Sequence, residues 1–163
     1  MSNKLRKNPL VCLIVSLGRL LTGRLKTSKQ YLGNSIRKKT GEEFTIFRHI
    51  TENPLDSTYT ECVFIVSFKF KHLSNKANKI TSIIPMLLIT GFPGFMTKIY
   101  AVNNKTGYWQ GMYQWKTMKH LEEYKKSFVF KVMNKRAIKK SIESVDLVNL
   151  KLIDFIDENI TSD

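Results

Sequence analysis

Five residues of this chain have types and spacing that could do chemistry: Lys98, Tyr100, Trp109, Tyr113 and Trp115. All lie in the stretch 91–116, where two strand-like runs flank a turn. Phe95, Thr97, Ile99 and Ala101 alternate with Met96, Lys98, Tyr100 and Val102, the period of a pleated strand. Asn103 to Gly107 carries hairpin-turn chemistry. Beyond it, Trp109, Gly111, Tyr113 and Trp115 share one face, and Tyr108, Gln110, Met112 and Gln114 the other. A lysine among Phe95, Ile99 and Tyr100 must reach water or find an anionic partner, so Lys98 can hold an anionic group or an enolate. Trp and Tyr present large apolar bodies with polar tips, a lining suited to a small apolar or aromatic ligand. The same residues have a plainer reading, with Trp109, Tyr113 and Trp115 as core or subunit-seam packing and Lys98 as a charge at a strand edge, in a non-catalytic structural or interaction protein. Alternation alone does not say which face of the hairpin meets the helices, and no catalytic residue is assigned.

Other chemistries find little support. His49, His72 and His120 have no His or Cys neighbour at metal-ligand spacing, so no metal is expected. There is no Gly-rich phosphate loop, nucleophile elbow or HExxH helix. Cys12 and Cys62 are too few and too far apart for a disulfide framework, which points to a reducing, cytoplasmic setting. The net charge of +14 is unevenly spread. Residues 1–40 hold ten Lys and Arg and no acid, whereas 141–163 hold six acids and only Lys151. Such a balance invites an anionic partner, or is the solvated surface of a lysine-rich protein.

The elements that must position the five residues follow from periodicity. Leu10, Leu13, Ile14, Leu17, Leu21 and Leu25 recur at helical spacing, so an amphipathic helix is predicted over 9–26, starting at Pro9. It packs on the domain or a partner subunit through its leucine stripe. Alternatively it lies on an anionic membrane surface through residues 1–26, with Lys4, Arg6, Lys7, Arg19 and Arg24 near the headgroups. Ser35–Lys39 and Phe44–Ile50 read as two short strands, the second with Phe44, Ile46 and Arg48 on one face, and 51–59 as a loop. A boundary is placed there: 1–60 an N-terminal helix and β-hairpin extension, 61–163 the main domain with a short C-terminal tail.

From Glu61 a strand puts Cys62, Phe64, Val66, Phe68 and Phe70 on one face. Leu73-Ser74 opens a helix that Pro85 should kink or divide. After the hairpin, Thr117 caps a helix running to Met133, a strand occupies 141–150, and 151–160 form an amphipathic tail with Leu152, Phe155 and Ile156 on its apolar side. Strand, helix, strand, strand, helix, strand is the order of an α+β, ferredoxin-like βαββαβ antiparallel sheet with helices on one face. The strands from 61 and 108 carry apolar groups on both faces, so a partner subunit, the N-terminal segment or a ligand must cover the second one.

A family resemblance rests on Gly91-Phe92-Pro93-Gly94-Phe95 leading to Lys98, Val102-Asn103-Asn104-Lys105-Thr106-Gly107, Gly111-Met112-Tyr113-Gln114-Trp115, and Glu123-Tyr124 before Ser127-Phe128. Over 92–148, and more loosely 61–148, the chain resembles the monooxygenase-like proteins of the dimeric α+β barrel superfamily. That resemblance implies a homodimer with sheets joined face to face and a pocket between sheet and helices. It also implies an activity without cofactor, since oxygenases of this kind deprotonate a substrate that then reacts with oxygen itself. Haem ligation by His120, as in haem-degrading relatives, finds no matching Asn on the first strand. A different class, single-stranded RNA binding, would need a Lys/Arg-Gly-Phe/Tyr-Gly/Ala-Phe-Val run, and Tyr108-Trp109-Gln110-Gly111-Met112-Tyr113 is not one.

Overall fold

The Asn103 side chain nucleates the central turn: its Oδ1 accepts from the N–H groups of Lys105 and Thr106, each at 3.0 Å. Gly107 follows at φ 73°, a left-handed conformation natural for glycine. The computed structural model describes residues 8–53, 61–71 and 74–161. The loop beyond Asn53, His72, the Leu73 helix opening, and the basic residues Lys4, Arg6 and Lys7 lie outside the described residues.

In chain order the elements are helix α1 (Pro9–Leu21) and strands β1 (Leu25–Ser28), β2 (Ser35–Arg37), β3 (Glu43–Glu52) and β4 (Cys62–Lys69). Helices α2 (Asn75–Thr81) and α3 (Ile83–Thr90) then lead to the hairpin strands β5 (Phe95–Val102) and β6 (Tyr108–Trp115). Helices α4 (Met118–Lys125) and α5 (Phe128–Arg136), strand β7 (Glu143–Val148), helix α6 (Leu152–Asn159) and strand β8 (Ile160–Thr161) complete the chain. The antiparallel sheet runs β7-β4-β6-β5-β3-β2-β8, with β1 also paired to β3. Its β7-β4-β6-β5 portion is the ferredoxin-like arrangement expected from the order of elements. β3 lies against β5 and continues the same sheet.

The predicted helix starts hold, and their ends differ for local reasons. Ser74 and Thr117 cap α2 and α4 through the N–H groups of Ala77 and His120. Pro85 cannot donate to the carbonyl of Thr81 and its ring crowds it, and the helix divides at Ser82. Ser127 caps α5 through the Phe130 N–H, dividing what reads in sequence as one helix. The first helix stops at Leu21, since Gly23 turns the chain out at φ 69°. Leu25, the last of the leucine stripe, is instead a buried residue of β1.

α1 docks through its small and polar side. Cys12 and Ser16 are buried, and Ser16 Oγ lies 2.6 Å from Thr90 Oγ1. Arg19 donates to the Thr90 carbonyl at 2.7 Å and stands 3.8 Å from Glu52. The leucine stripe expected to face the core points outward: Leu10, Ile14 and Leu21 are 65%, 62% and 89% exposed.

Two apolar layers sandwich the sheet. On one face Phe64, Val66, Tyr113 and Trp115 pack under Ile89, Phe92, Leu121, Tyr124 and Val129. On the other, Val63, Ile65, Ile99, Ala101 and Met112 are covered by Tyr31 and by Leu152 and Ile156 of α6. Each fully buried aliphatic chain contributes about 1.5–3 kcal/mol. The second face is thus covered by this chain's own N-terminal segment and by its C-terminal helix.

Candidate functional site

Two β-bulges decide which side chains reach the helix-covered face. The β3–β5 register slips between Ile46 and Arg48, and the β5–β6 register between Phe95 and Thr97. An extra residue reverses the alternation beyond it. The first bulge puts Phe44 and Ile46 on the second face, while Phe47 and Arg48 turn to the helix side beside Tyr100. The second parts Phe95, which packs on the helix side, from Ile99 and Ala101, which face the other way. Strict alternation had placed Arg48 with Ile46, and Phe95 with Thr97, Ile99 and Ala101.

Lys98, Tyr100, Trp109 and Tyr113 consequently line one cavity between sheet and helices. Lys98 and Tyr113 are cross-strand partners. The Lys98 Nζ stands 3.9 Å from the Tyr100 ring centroid and 4.1 Å from that of Tyr113. Gly111 gives the Tyr113 ring its place, because a β-carbon there would meet Tyr113 Cε2 at 2.8 Å. Trp109 forms a wall, with Nε1 donating to Asn75 Oδ1 at 2.9 Å and its ring edge-on to Phe47 and Phe70. Trp115 is set apart, in a block of aromatics where it stacks on Tyr124 at 4.7 Å.

The electrostatics of the cavity are one-sided. Lys98 is 2% exposed, and its ammonium form is disfavoured first by burial and then by the nearby Arg48 charge, so its pKa lies well below the ordinary lysine value. Arg48 is held by Ser82 Oγ at 2.6 Å and the Lys79 carbonyl at 2.9 Å. Arg136, at the cavity's edge, donates to Thr81 Oγ1 at 3.0 Å. Among the described residues no carboxylate pairs with any of the three cations. The buried Tyr100 hydroxyl also has no hydrogen-bond partner among them, and burial raises its pKa well above the ordinary tyrosine value. An unpaired amine and an unpaired hydroxyl beside each other are arranged to receive an anion or to take a proton. The free cavity is about 30 Å³, room for about one water, so an organic ligand enters only if side chains lining it move apart.

Arg48, Arg136 and Met133 were missed in the sequence. Arg48 is legible there only as one residue of an alternating strand. No group of three or more His, Cys, Asp or Glu that could hold a metal is gathered among the described residues.

The fold is shared with solved structures of low sequence similarity. A monooxygenase-like protein from Listeria innocua superposes with a TM-score of 0.50 at 11% identity, over 80% of this chain and 84% of that one. An uncharacterized ferredoxin fold protein related to antibiotic biosynthesis monooxygenases, from Listeria monocytogenes 4b F2365, gives 0.49 at 11% identity over 83% and 88%. A candidate monooxygenase from Fusobacterium nucleatum gives 0.46 at 10% identity over 66% of this chain, which spans about half (49%) of that one. The sequence matches no family model and no curated protein. The β7-β4-β6-β5 order and the match at a TM-score of 0.50 make the chain an α+β protein with the ferredoxin-like fold, and it is at the level of fold that the resemblance read from 92–148 holds.

Proposed function

We propose that the chain binds a small aromatic acid, phenol or enolisable ring compound beside Lys98, between sheet and helices. The observation that supports this best is a buried lysine with no carboxylate, lying against two tyrosine rings next to Arg48 and the unpartnered Tyr100 hydroxyl. As a neutral amine Lys98 takes the proton from the ligand's acidic O–H or C–H. The resulting ammonium then pairs with the phenolate or enolate, with Tyr100 donating to the same oxygen. Such a pair would suit a cofactor-independent oxygenase, in which the carbanion reacts with oxygen itself. Without an oxygen-reactive ligand, the same site is a binding site alone. Calorimetric titration with 4-nitrophenol and its methyl ether tests the reading: the phenol binds, and the ether, which lacks the acidic proton, binds at least tenfold more weakly. Equal affinities would remove the anion site.

A second reading concerns α1, whose outward Leu10, Ile14, Leu17 and Leu21 form an apolar strip on a protein of net charge +14. We propose that this strip rests on an anionic lipid surface while Ser16 and Arg19 hold the helix to the domain. No helix among the described residues is long and apolar enough to cross a membrane. Sedimentation with phosphatidylserine vesicles, lost in Leu17→Ser/Leu21→Ser, is the expected result. Both cysteines are buried and neither is in a disulfide, which fits a reducing compartment. The sheet-to-sheet homodimer implied by the family would need the face on which α6 now sits, which favours a single chain as the working unit.

A further inference from the structure

A second cavity, of about 270 Å³, lies across the sheet from Lys98, between the strands and the start of α6. Tyr31, Ile99, Leu152 and Ile153 give it an apolar wall, and Glu61 and Gln114 line another side. Its volume exceeds the roughly 150 Å³ of an engineered cavity that takes benzene, and suits a ring with a short arm.

Glu61, just before β4, brings a carboxylate to this wall and is only 6% exposed. Two hydrogen bonds fix where that carboxylate lies. The Leu152 N–H, at the start of α6, donates to Gln114 Oε1 at 2.9 Å. Gln114 Nε2 is thereby turned to Glu61 and donates to its Oε2 at 2.6 Å. The other oxygen, Oε1, takes part in no hydrogen bond or ion pair among the described residues. Nor is it one of the unpartnered polar atoms sealed from water, as His49 Nδ1 and Tyr100 Oη are. In a residue so little exposed, Oε1 opens onto the cavity that Glu61 lines.

A carboxylate among apolar groups with one neutral partner is costly to keep charged, and burial raises the Glu61 pKa. The charges that act on it oppose each other: Lys151, at the exposed rim, favours the carboxylate and Asp154 of α6 disfavours it. One turn beyond Asp154, Asp157 accepts from the Tyr31 hydroxyl at 3.0 Å. Around Glu61 and Tyr31, three acids thus stand against one lysine, on a chain whose net charge is +14.

We propose that this cavity binds a small organic ammonium of the arylalkylamine type, with its ring between Tyr31, Ile99 and Leu152 and its ammonium on Glu61 Oε1. The cation supplies the charged partner that the carboxylate lacks, and the acidic start of α6 draws it in. An organic acid, which Lys98 would select, is opposed here by Glu61, Asp154 and Asp157. The two sites are therefore independent and opposite in preference.

The test is calorimetric titration of the full chain at pH 7 with three probes of one shape: 2-phenylethylamine, 2-phenylethanol and 3-phenylpropionate. The amine binds, and the alcohol and the acid bind roughly tenfold or more weakly, the loss of one charge-assisted hydrogen bond. Glu61→Gln keeps an acceptor for Gln114 and removes the charge, so it binds amine and alcohol alike. Ile153→Trp, at a half-exposed wall position, fills the cavity and abolishes binding of the amine, whereas Lys98→Met leaves it unchanged. Should Glu61→Gln not fold, the wild-type comparison and Ile153→Trp decide. Equal affinities for amine and alcohol in the wild type, tighter binding of the acid, or no binding at millimolar amine would each overturn the proposal. An amine preference that survives Glu61→Gln, or amine binding that survives Ile153→Trp, would do the same.

Discussion

Gly91 lies so close to the backbone of Cys12 that a β-carbon on it would sit 1.7 Å from the Cys12 carbonyl oxygen. The close approach lets α1 reach Thr90, where Ser16 and Arg19 make their hydrogen bonds. Gly91→Ala must push the helix away, and backbone cannot yield as a flexible side chain can. Its expected cost is about 2–4 kcal/mol, at or above the range for overpacking. Limited proteolysis should then cut within 8–24 in the variant and spare that segment in the wild type. An unchanged melting temperature would mean that α1 is not docked through this contact.

Gln114 fastens α6 to the sheet by accepting the N–H of Leu152, one of the N–H groups that a helix start leaves unpaired. Gln114→Leu keeps the strand apolar but strands that N–H and the Glu61 carboxyl, at a cost of about 1–3 kcal/mol. Hydrogen exchange at 152–156 should quicken well before exchange in β4 and β6. With α6 seated, light scattering should give a mass near 18.9 kDa. Truncation after Leu150 bares Val63, Ile65 and Met112 and should produce dimers or larger species. A wild-type mass twice the chain's would restore the face-to-face pair.

His49 makes stability pH-dependent in a defined direction. Its folded pKa of about 4 lies below the unfolded value of 6.5, because burial disfavours the imidazolium. Between these values the unfolded chain holds a proton that the folded one lacks, so stability falls as pH drops from 6.5 to 4. The loss is up to about 3 kcal/mol. Denaturant unfolding at pH 7 and pH 4 should show this extra loss in the wild type and not in His49→Gln. Parallel losses in both proteins would assign the acid sensitivity to carboxylates.

Much of the architecture was legible because it rests on local chemistry: Ser74 and Thr117 as caps, Pro85 as a breaker, Gly107 in the turn, and the alternation of Cys62, Phe64, Val66 and Phe68. What escaped was non-local. A bulge has no signature in the residues around it, so Arg48 and Phe95 were assigned to the wrong faces. The α1 leucines look like a core stripe by period, yet Cys12, Ser16 and Arg19 make the contacts, as Gly91 opposite admits only a small residue. The cover of the second face came partly from the predicted amphipathic tail, which periodicity marked as apolar without saying where it would dock. Of the five candidate residues, four share a cavity because they share a strand face. Trp115 shares the face but lies too far along β6, among Phe92, Phe95 and Tyr124.

Lys98 gives the sharpest test, since stability and binding should move in opposite directions. Holding this side chain among tyrosine rings with no carboxylate costs free energy that a methionine of similar shape avoids. Lys98→Met should therefore raise stability by about 1–2 kcal/mol at neutral pH, a melting-temperature gain of about 3–6 °C. The folded pKa is depressed below the unfolded one, so the unfolded chain binds the extra proton and wild-type stability climbs with pH. The gap between variant and wild type should narrow as pH approaches ~10.4. The same variant should lose 4-nitrophenol by about 1–3 kcal/mol, the range for a charged hydrogen bond, and leave the methyl ether unaffected. Trp115→Phe serves as the control: it loosens the stack on Tyr124 and lowers stability while keeping the preference for the phenol. If Lys98→Met proves less stable than the wild type and binds both compounds equally, Lys98 is a packing residue and the cavity has no anion site.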